Sequence, residues 1–250
     1  MRFFLLVLAA LGASAQAQDA FLDLEAGGTY EHLSNGRDPW SSVYLEAAKQ
    51  LAPRQTLYGG VRETERFSFR DSELGLGYSQ PLGAKWTAVL EGTYSSQHNV
   101  LPENALYGQL AWAAPEGWVL SGGARHSEYT TSTVNLLVGG VERYWGAWRA
   151  GYSIYNGRPE GSGSATSHRL ALDHYYAGER SRIGISGAWG REFENQGPPT
   201  GIITSDIRNL TAGGRHWLSD GWALAWETWT QRQGDLYRRT GARLGLRHRF

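Results

Sequence analysis

Between Ser181 and Gly190 the side chains alternate without a break. Ile183, Ile185, Gly187 and Trp189 fall on one side, and Arg182, Gly184, Ser186 and Ala188 on the other. A period of two residues is that of a β-strand with unlike faces. The pattern recurs in Trp148–Ile154, Trp222–Glu227, Trp86–Tyr94 and Arg169–Asp173, and after Gln18 no helical periodicity outlasts two turns. The composition of the second face is the strongest constraint. The wet face of a soluble sandwich favours Lys, Glu and Thr. Here that face is Gly, Ala, Ser and Arg, which suits the crowded interior of a closed barrel. The apolar face then meets lipid, with Trp and Tyr as girdles at the strand ends. Lysine occurs only at Lys49 and Lys85, so nearly all positive charge is arginine. Its position on the small-residue face carries the argument, not its number.

Connection lengths point the same way. Even-numbered strands are expected to end in tight turns such as Leu51–Gln55, Gln80–Ala84, Ala114–Gly117, Tyr144–Gly146, Ala177–Arg180 and Ser219–Gly221. Odd-numbered strands end in longer polar segments: Leu33–Pro39, Ser95–Glu103, Ser127–Ser132, Gly157–Thr166 and Arg191–Thr204. Short turns on the periplasmic side and long loops outside are the habit of outer-membrane barrels. The expected fold is therefore all-β, a transmembrane antiparallel up-and-down barrel of about 14 strands, or about 12 if segments merge around Arg66–Asp71. Residues 1–17 read as a cleaved signal peptide: a positive start at Arg2, an apolar run Phe3–Ala13 and an Ala15-Gln16-Ala17 end. Residues 18–250 form the single barrel domain. In the last segment Ala242, Leu244, Leu246 and Phe250 share a face that His248 interrupts, while Arg239, Arg243, Arg247 and Arg249 share the other. An amphipathic final strand closing on an aromatic marks Leu244, Leu246 and Phe250 as an assembly signal.

The alternation places Asp23, Glu25, Glu46, Glu73, Glu91, Asp173 and Glu227 inside, together with Arg62, Arg125, Arg149, Arg169, Arg182, Arg208, Arg239, Arg243 and Arg247. These charges either pair and plug the interior or line a narrow pore for small anions or envelope saccharides. The alternative function is a hydrolase at the barrel rim acting on lipid or lipopolysaccharide. Its candidates are His126, Ser127 and Glu128, with His98, Asp38, Asp71 and Asp206 as a further acid, base or metal group. On a strand, however, Ser127 faces away from His126 and Glu128. The chain has no cysteine and zero formal net charge, which excludes thiolate chemistry and argues against nucleic acid as a partner. No H-E-x-x-H, phosphate-loop or G-x-S-x-G pattern occurs, so neither metal nor cofactor is expected and the chain reads as a non-enzyme.

Several segments resemble the YaiO family of outer-membrane β-barrels. They are Leu33–Trp40, Arg62–Phe67, His98–Pro102, Gly123–Tyr129, Val141–Trp145 and His174–Tyr176, within a likeness running from about Leu24 to Phe250. The resemblance implies one barrel in the cell outer membrane and brings no catalytic or ligand residues with it. The expected partners are outer-membrane lipid and lipopolysaccharide, with periplasmic chaperones and the barrel-assembly machinery during biogenesis after Sec export.

Overall fold

The computed structural model describes residues 21–178 and 180–250. The signal-peptide assignment to residues 1–17 lies outside them. Fourteen strands follow one another: β1 (Leu22–Leu33), β2 (Trp40–Ala52), β3 (Gln55–Arg66), β4 (Phe69–Leu82), β5 (Trp86–Ser95), β6 (Asn104–Ala113), β7 (Trp118–Tyr129), β8 (Ser132–Trp145), β9 (Trp148–Pro159), β10 (Ala165–Tyr176), β11 (Ser181–Asn195), β12 (Ile202–Trp217), β13 (Trp222–Gln233) and β14 (Tyr237–Arg249). Each pairs antiparallel with its neighbours in sequence, and β1 pairs with β14 to close the barrel. Closure leaves no free sheet edge, a condition for any sheet that crosses a bilayer. Leu22 and Phe250 exchange backbone hydrogen bonds of 3.3 and 2.9 Å, so both ends of the closure lie at one rim.

The larger of the two strand counts is realised because Arg66–Asp71 turns instead of merging. Phe67 and Ser68 alone join β3 to β4, with φ of 53° and 64°. Two successive positive φ values match the twist of a two-residue hairpin, although such turns usually recruit Gly or Asn.

The two faces separate by environment. Val43, Leu45, Leu74, Leu76, Leu137, Leu244 and Leu246 are 49–63% exposed, and all point away from the barrel axis. On the opposite face Asp23, Glu25, Glu73 and Asp173 are buried. Apolar outside and charged inside is the inverse of a water-soluble protein and fits a lipid-facing wall.

Around the terminus-bearing rim the outer wall is dense in rings. Trp86 stacks on Trp112 at 6.3 Å, Trp148 lies 4.5 Å from His174, and His216 stacks on Trp226 at 6.2 Å. His248, which breaks the apolar pattern of the last strand, sits between Trp222 at 4.4 Å and Phe250 at 4.2 Å. Amphipathic rings collect at the membrane–water interface.

Connections at the terminus-bearing rim are short throughout, spanning 53–54, 83–85, 114–117, 146–147, 177–180 and 218–221. At the opposite rim the expected contrast is only partly present. Segments 34–39, 96–103, 160–164 and 196–201 are longer, but Ser127–Ser132 shrinks to Thr130–Thr131, because β7 and β8 pair as far as Tyr129–Ser132. Arg191–Thr204 shortens likewise, because β11 and β12 stay paired as far as Asn195–Ile202.

Candidate functional site: the barrel interior and its mouth

Inward arginines and acids pair in groups. At the closure, Asp23 stands opposite Arg249 and Glu25 opposite Arg247 in the β1–β14 ladder. Arg249 donates to both Asp23 oxygens at 2.7 and 2.8 Å, and Arg247 Nε donates to Glu25 Oε2 at 2.8 Å. Arg243 reaches Glu25 at 2.7 Å and Glu46 at 3.5 Å, and Glu46 meets Arg62 at 3.5 Å. Tyr44 ties this group together: its hydroxyl donates to Glu25 at 2.9 Å and accepts from Arg243 at 2.7 Å. Nearer the opposite rim, Arg239 pairs with Glu31 at 3.2 Å, and the Trp229 indole donates to the same carboxylate at 3.0 Å.

A second group lies on β8–β11. Arg149 bridges Glu142 at 2.5 Å and Asp173 at 2.8 Å, while Arg182 approaches Asp173 at 3.7 Å. Glu91 accepts from the Tyr58 hydroxyl at 2.5 Å, Arg125 donates to Ser127 Oγ at 3.2 Å, and Arg169 donates to Ser186 Oγ at 3.2 Å. Buried charges persist only when paired and hydrogen-bonded.

Glycine gives these inward rings their space. A Cβ on Gly77 would meet the Tyr58 ring at 2.3 Å, and one on Gly241 would meet Trp229 at 2.6 Å. Gly27 and Gly245 lie under the Tyr44 hydroxyl, with a Cβ reaching it at 2.3 and 2.4 Å. Bare backbone lets each ring lie flat on the wall.

Of the expected inward residues, Glu46, Arg62, Glu73, Glu91, Arg125, Arg149, Arg169, Asp173, Arg182, Glu227, Arg239, Arg243 and Arg247 occupy the inner face. Glu227 sits opposite Gly213 and Arg243, on the side of buried Ala223 and Trp229. Arg208 is a correction. It shares its face with Leu210, which is 52% exposed, and so points outward, whereas Ile207 and Thr211 are buried. Residues 207–210 carry an apolar residue on each face, which leaves their alternation ambiguous. Leu244, Leu246 and Phe250 are 61%, 49% and 68% exposed on the outer wall.

The interior narrows at the loop-bearing mouth. The β5–β6 segment, residues 96–103, folds inward and buries Val100 and Leu101. Asp71 on β4 holds it with both carboxylate oxygens, accepting from Asn99 N and Nδ2 at 2.9 Å each, Val100 N at 2.7 Å and Leu101 N at 2.8 Å. From β11, Asn195 Nδ2 donates to the carbonyls of Asn99 and Val100 at 3.2 and 3.3 Å. Tyr237 on β14 donates to Glu194 on β11, which spans two intervening strands. Beside it Trp40 packs edge-on against Phe67 at 4.8 Å and Tyr237 at 5.8 Å, with Arg66 and Arg239 over its ring at 4.9 and 5.1 Å. Three further residues face the interior although the alternation did not assign them there: Glu31 with Arg239, Glu142 with Arg149, and Arg215 beside Arg182 towards the terminus-bearing rim. Asp71, a candidate rim acid or base, spends its carboxylate on the loop.

The hydrolase candidates do not converge. His126 and Glu128 face outward with Nε2 and Oε1 3.5 Å apart, and His126 Nδ1 lies 2.8 Å from Asn135 Oδ1. Ser127 is buried on the inner face beside Arg125. His98 contacts the Ser95 carbonyl at 3.2 Å and Glu103 at 3.8 Å, Asp38 accepts from Ser68 at 3.0 Å, and Asp206 faces Arg191 at 3.8 Å. No group of three or more metal-binding side chains occurs among the described residues.

Solved structures with this architecture include a bacterial polysaccharide outer membrane secretin (TM-score 0.58, 10% identity, covering 92% of this chain and 98% of the other). The Salmonella typhi OmpF complex with daunomycin (0.51, 10%, 92% and 97%) and Pseudomonas aeruginosa OpdQ (0.50, 10%, 93% and 99%) are similar in the same way. At such identity the likeness is one of fold. No curated protein matches the sequence. Residues 23–195 match the YaiO membrane beta barrel domain, from β1 through β11, so β12–β14 lie beyond the matched stretch. With a closed barrel, an apolar outer wall and a match over more than half its length, the chain belongs to the YaiO family of membrane β-barrels.

Proposed function

We propose that this outer-membrane barrel is a narrow, water-filled passage for small polar solutes, restricted at its outer mouth by segment 96–103 and biased towards anions. One observation carries the reading. Arg62, Arg182 and Arg243 point inward, yet their side chains keep 21%, 32% and 25% exposure, so water reaches the interior between the paired charges. Charge rings of one sign set the selectivity of such passages. Here the excess lies towards the terminus-bearing rim, where Arg182, Arg247 and Arg249 already pair with Asp173, Glu25 and Asp23, and Arg215, opposite Arg182, adds a further positive charge.

Planar-bilayer recording of the purified barrel tests this. The expected result is discrete openings whose reversal potential in a salt gradient shifts towards the anion equilibrium value. Absence of conductance above bare bilayer overturns the passage, and a cation-directed shift overturns the bias alone.

A further inference from the structure

The outward arginine that the alternation misplaced belongs to a row. Arg208 on β12 is the cross-strand partner of Arg232 on β13, and Arg232 is the partner of Arg238 on β14. All three are exposed on the outer wall. Like charges directly opposite each other on neighbouring strands destabilise a sheet, and here two such pairs adjoin. Compensation by the protein is partial. Arg232 pairs with Asp235 at 2.8 Å and Arg238 Nε donates to Thr230 at 3.1 Å, while the Arg208 side chain has no hydrogen bond or ion pair among the described residues. Beside Arg208 on this face, Asp206 is already engaged with Arg191 at 3.8 Å. The patch therefore retains net positive charge.

Its height specifies what it meets. From Arg238 to His248 in the lower ring girdle, β14 rises about 25 Å along the axis at ~3.3 Å per residue and ~40° tilt, the height of a barrel's apolar band. Arg208, Arg232 and Arg238 thus stand at the upper headgroup level. Below them come the hydroxyls of Thr230 and Thr240, 3.5 Å apart, and then the exposed apolar wall of Leu210 and Leu244. Cations, then hydroxyls, then an apolar strip match a lipid that carries phosphate on a sugar above its acyl chains.

We infer that Arg208, Arg232 and Arg238 form a binding site for the phosphates of a phosphorylated glycolipid in the outer leaflet, with Thr230 and Thr240 at its sugar. Guanidinium groups suit phosphate because they donate in a planar fork. The inference rests on the outer-membrane reading and not on the passage being open.

The test uses the purified full-length barrel in detergent, with bisphosphorylated lipid A, its dephosphorylated form and inorganic phosphate as separate probes. Native mass spectrometry follows bound lipid in the parent, in R208Q/R232Q/R238Q, in R208Q alone and in R70Q. Arg70 is an exposed rim arginine on β4, away from the row. Retained heat-modifiable migration on gels establishes that each variant is folded, and R208Q removes no protein–protein bond if the triple variant fails to fold. The expected outcome is binding of the bisphosphorylated lipid weakened about tenfold or more in the triple variant, equivalent to ~1.4 kcal/mol or more, and measurably in R208Q, with R70Q unchanged. Equal binding across variants, equal binding of the dephosphorylated lipid, or occupancy by inorganic phosphate alone would overturn it.

Discussion

Asp71, on β4, gathers the amides of Leu101 and its neighbours: the Leu101 amide donates to Oδ2 at 2.8 Å, and the same carboxylate takes three further N–H groups from Asn99 and Val100. Asp71→Ala removes four charge-assisted bonds at once, each worth about 1.5–3 kcal/mol before the released loop recovers water contacts. Bilayer recording of D71A is expected to show larger and noisier unitary conductance than the parent. Limited proteolysis is expected to cut newly within 96–103. Unchanged conductance from a folded D71A barrel removes this segment as the restriction.

Glu25 is 2% exposed and accepts from Arg247, Arg243 and Tyr44. Glu25→Ala leaves Arg243 to Glu46 and Arg247 to Asp23, each at the longer distance of 3.5 Å, and breaking a buried pair from one side costs up to about 3–5 kcal/mol. Urea unfolding followed by tryptophan emission is expected to move to markedly lower denaturant. Glu128→Ala, at an exposed rim pair, is expected to leave the midpoint where it is.

Glycine substitutions separate the two walls. Gly77→Ala drives a methyl into the Tyr58 ring and displaces the hydroxyl that serves Glu91, with overpacking costing about 1–3 kcal/mol. Gly108→Ala meets nothing within 4 Å, so its stability is expected to hold or rise by about 0.4–1 kcal/mol. Thermal melts of the two variants are expected to diverge. Equal melts would mean that Tyr58 has another rotamer at no cost.

Phe250 is 68% exposed, with its ring against His248 and its backbone bonded to Leu22. Phe250→Ala keeps the backbone bonds, so the refolded barrel is expected to melt close to the parent. Its proposed contribution is to recognition during insertion, and the amount of folded barrel recovered from cell membranes is expected to fall. A large loss of melting temperature with normal recovery would assign the residue to stability instead.

Strand faces were readable from the sequence wherever apolar residues kept strictly to one parity, as at Ile183–Trp189 or Leu244–Leu246. Arg208 was not, because Ile207 and Leu210 straddle it and arginine suits both a wet interior and a headgroup-level wall. Arg215 was missed for the complementary reason: it lies between Gly213 and Trp217 at a strand end, with no apolar alternation near it. The mouth was unreadable in principle. Asp71 and Leu101 are 30 positions apart, and an inward loop differs from an outward one only through such distant bonds. Phe67–Ser68 hid its turn because neither residue advertises positive φ.

The charge order of the closure has a consequence for how copies of this chain avoid one another. Before closing, one edge presents Asp23 and Glu25, and the other presents Arg243, Arg247 and Arg249. Unpaired edges invite pairing with any strand that arrives. Two β14 edges meeting would set arginine against arginine, and two β1 edges acid against acid, each penalised across the strands. Only unlike edges agree in sign, and the nearest unlike edge is always at the other end of the same chain. The seam thus turns away the homotypic encounters, β1 on β1 and β14 on β14, that would otherwise seed aggregates.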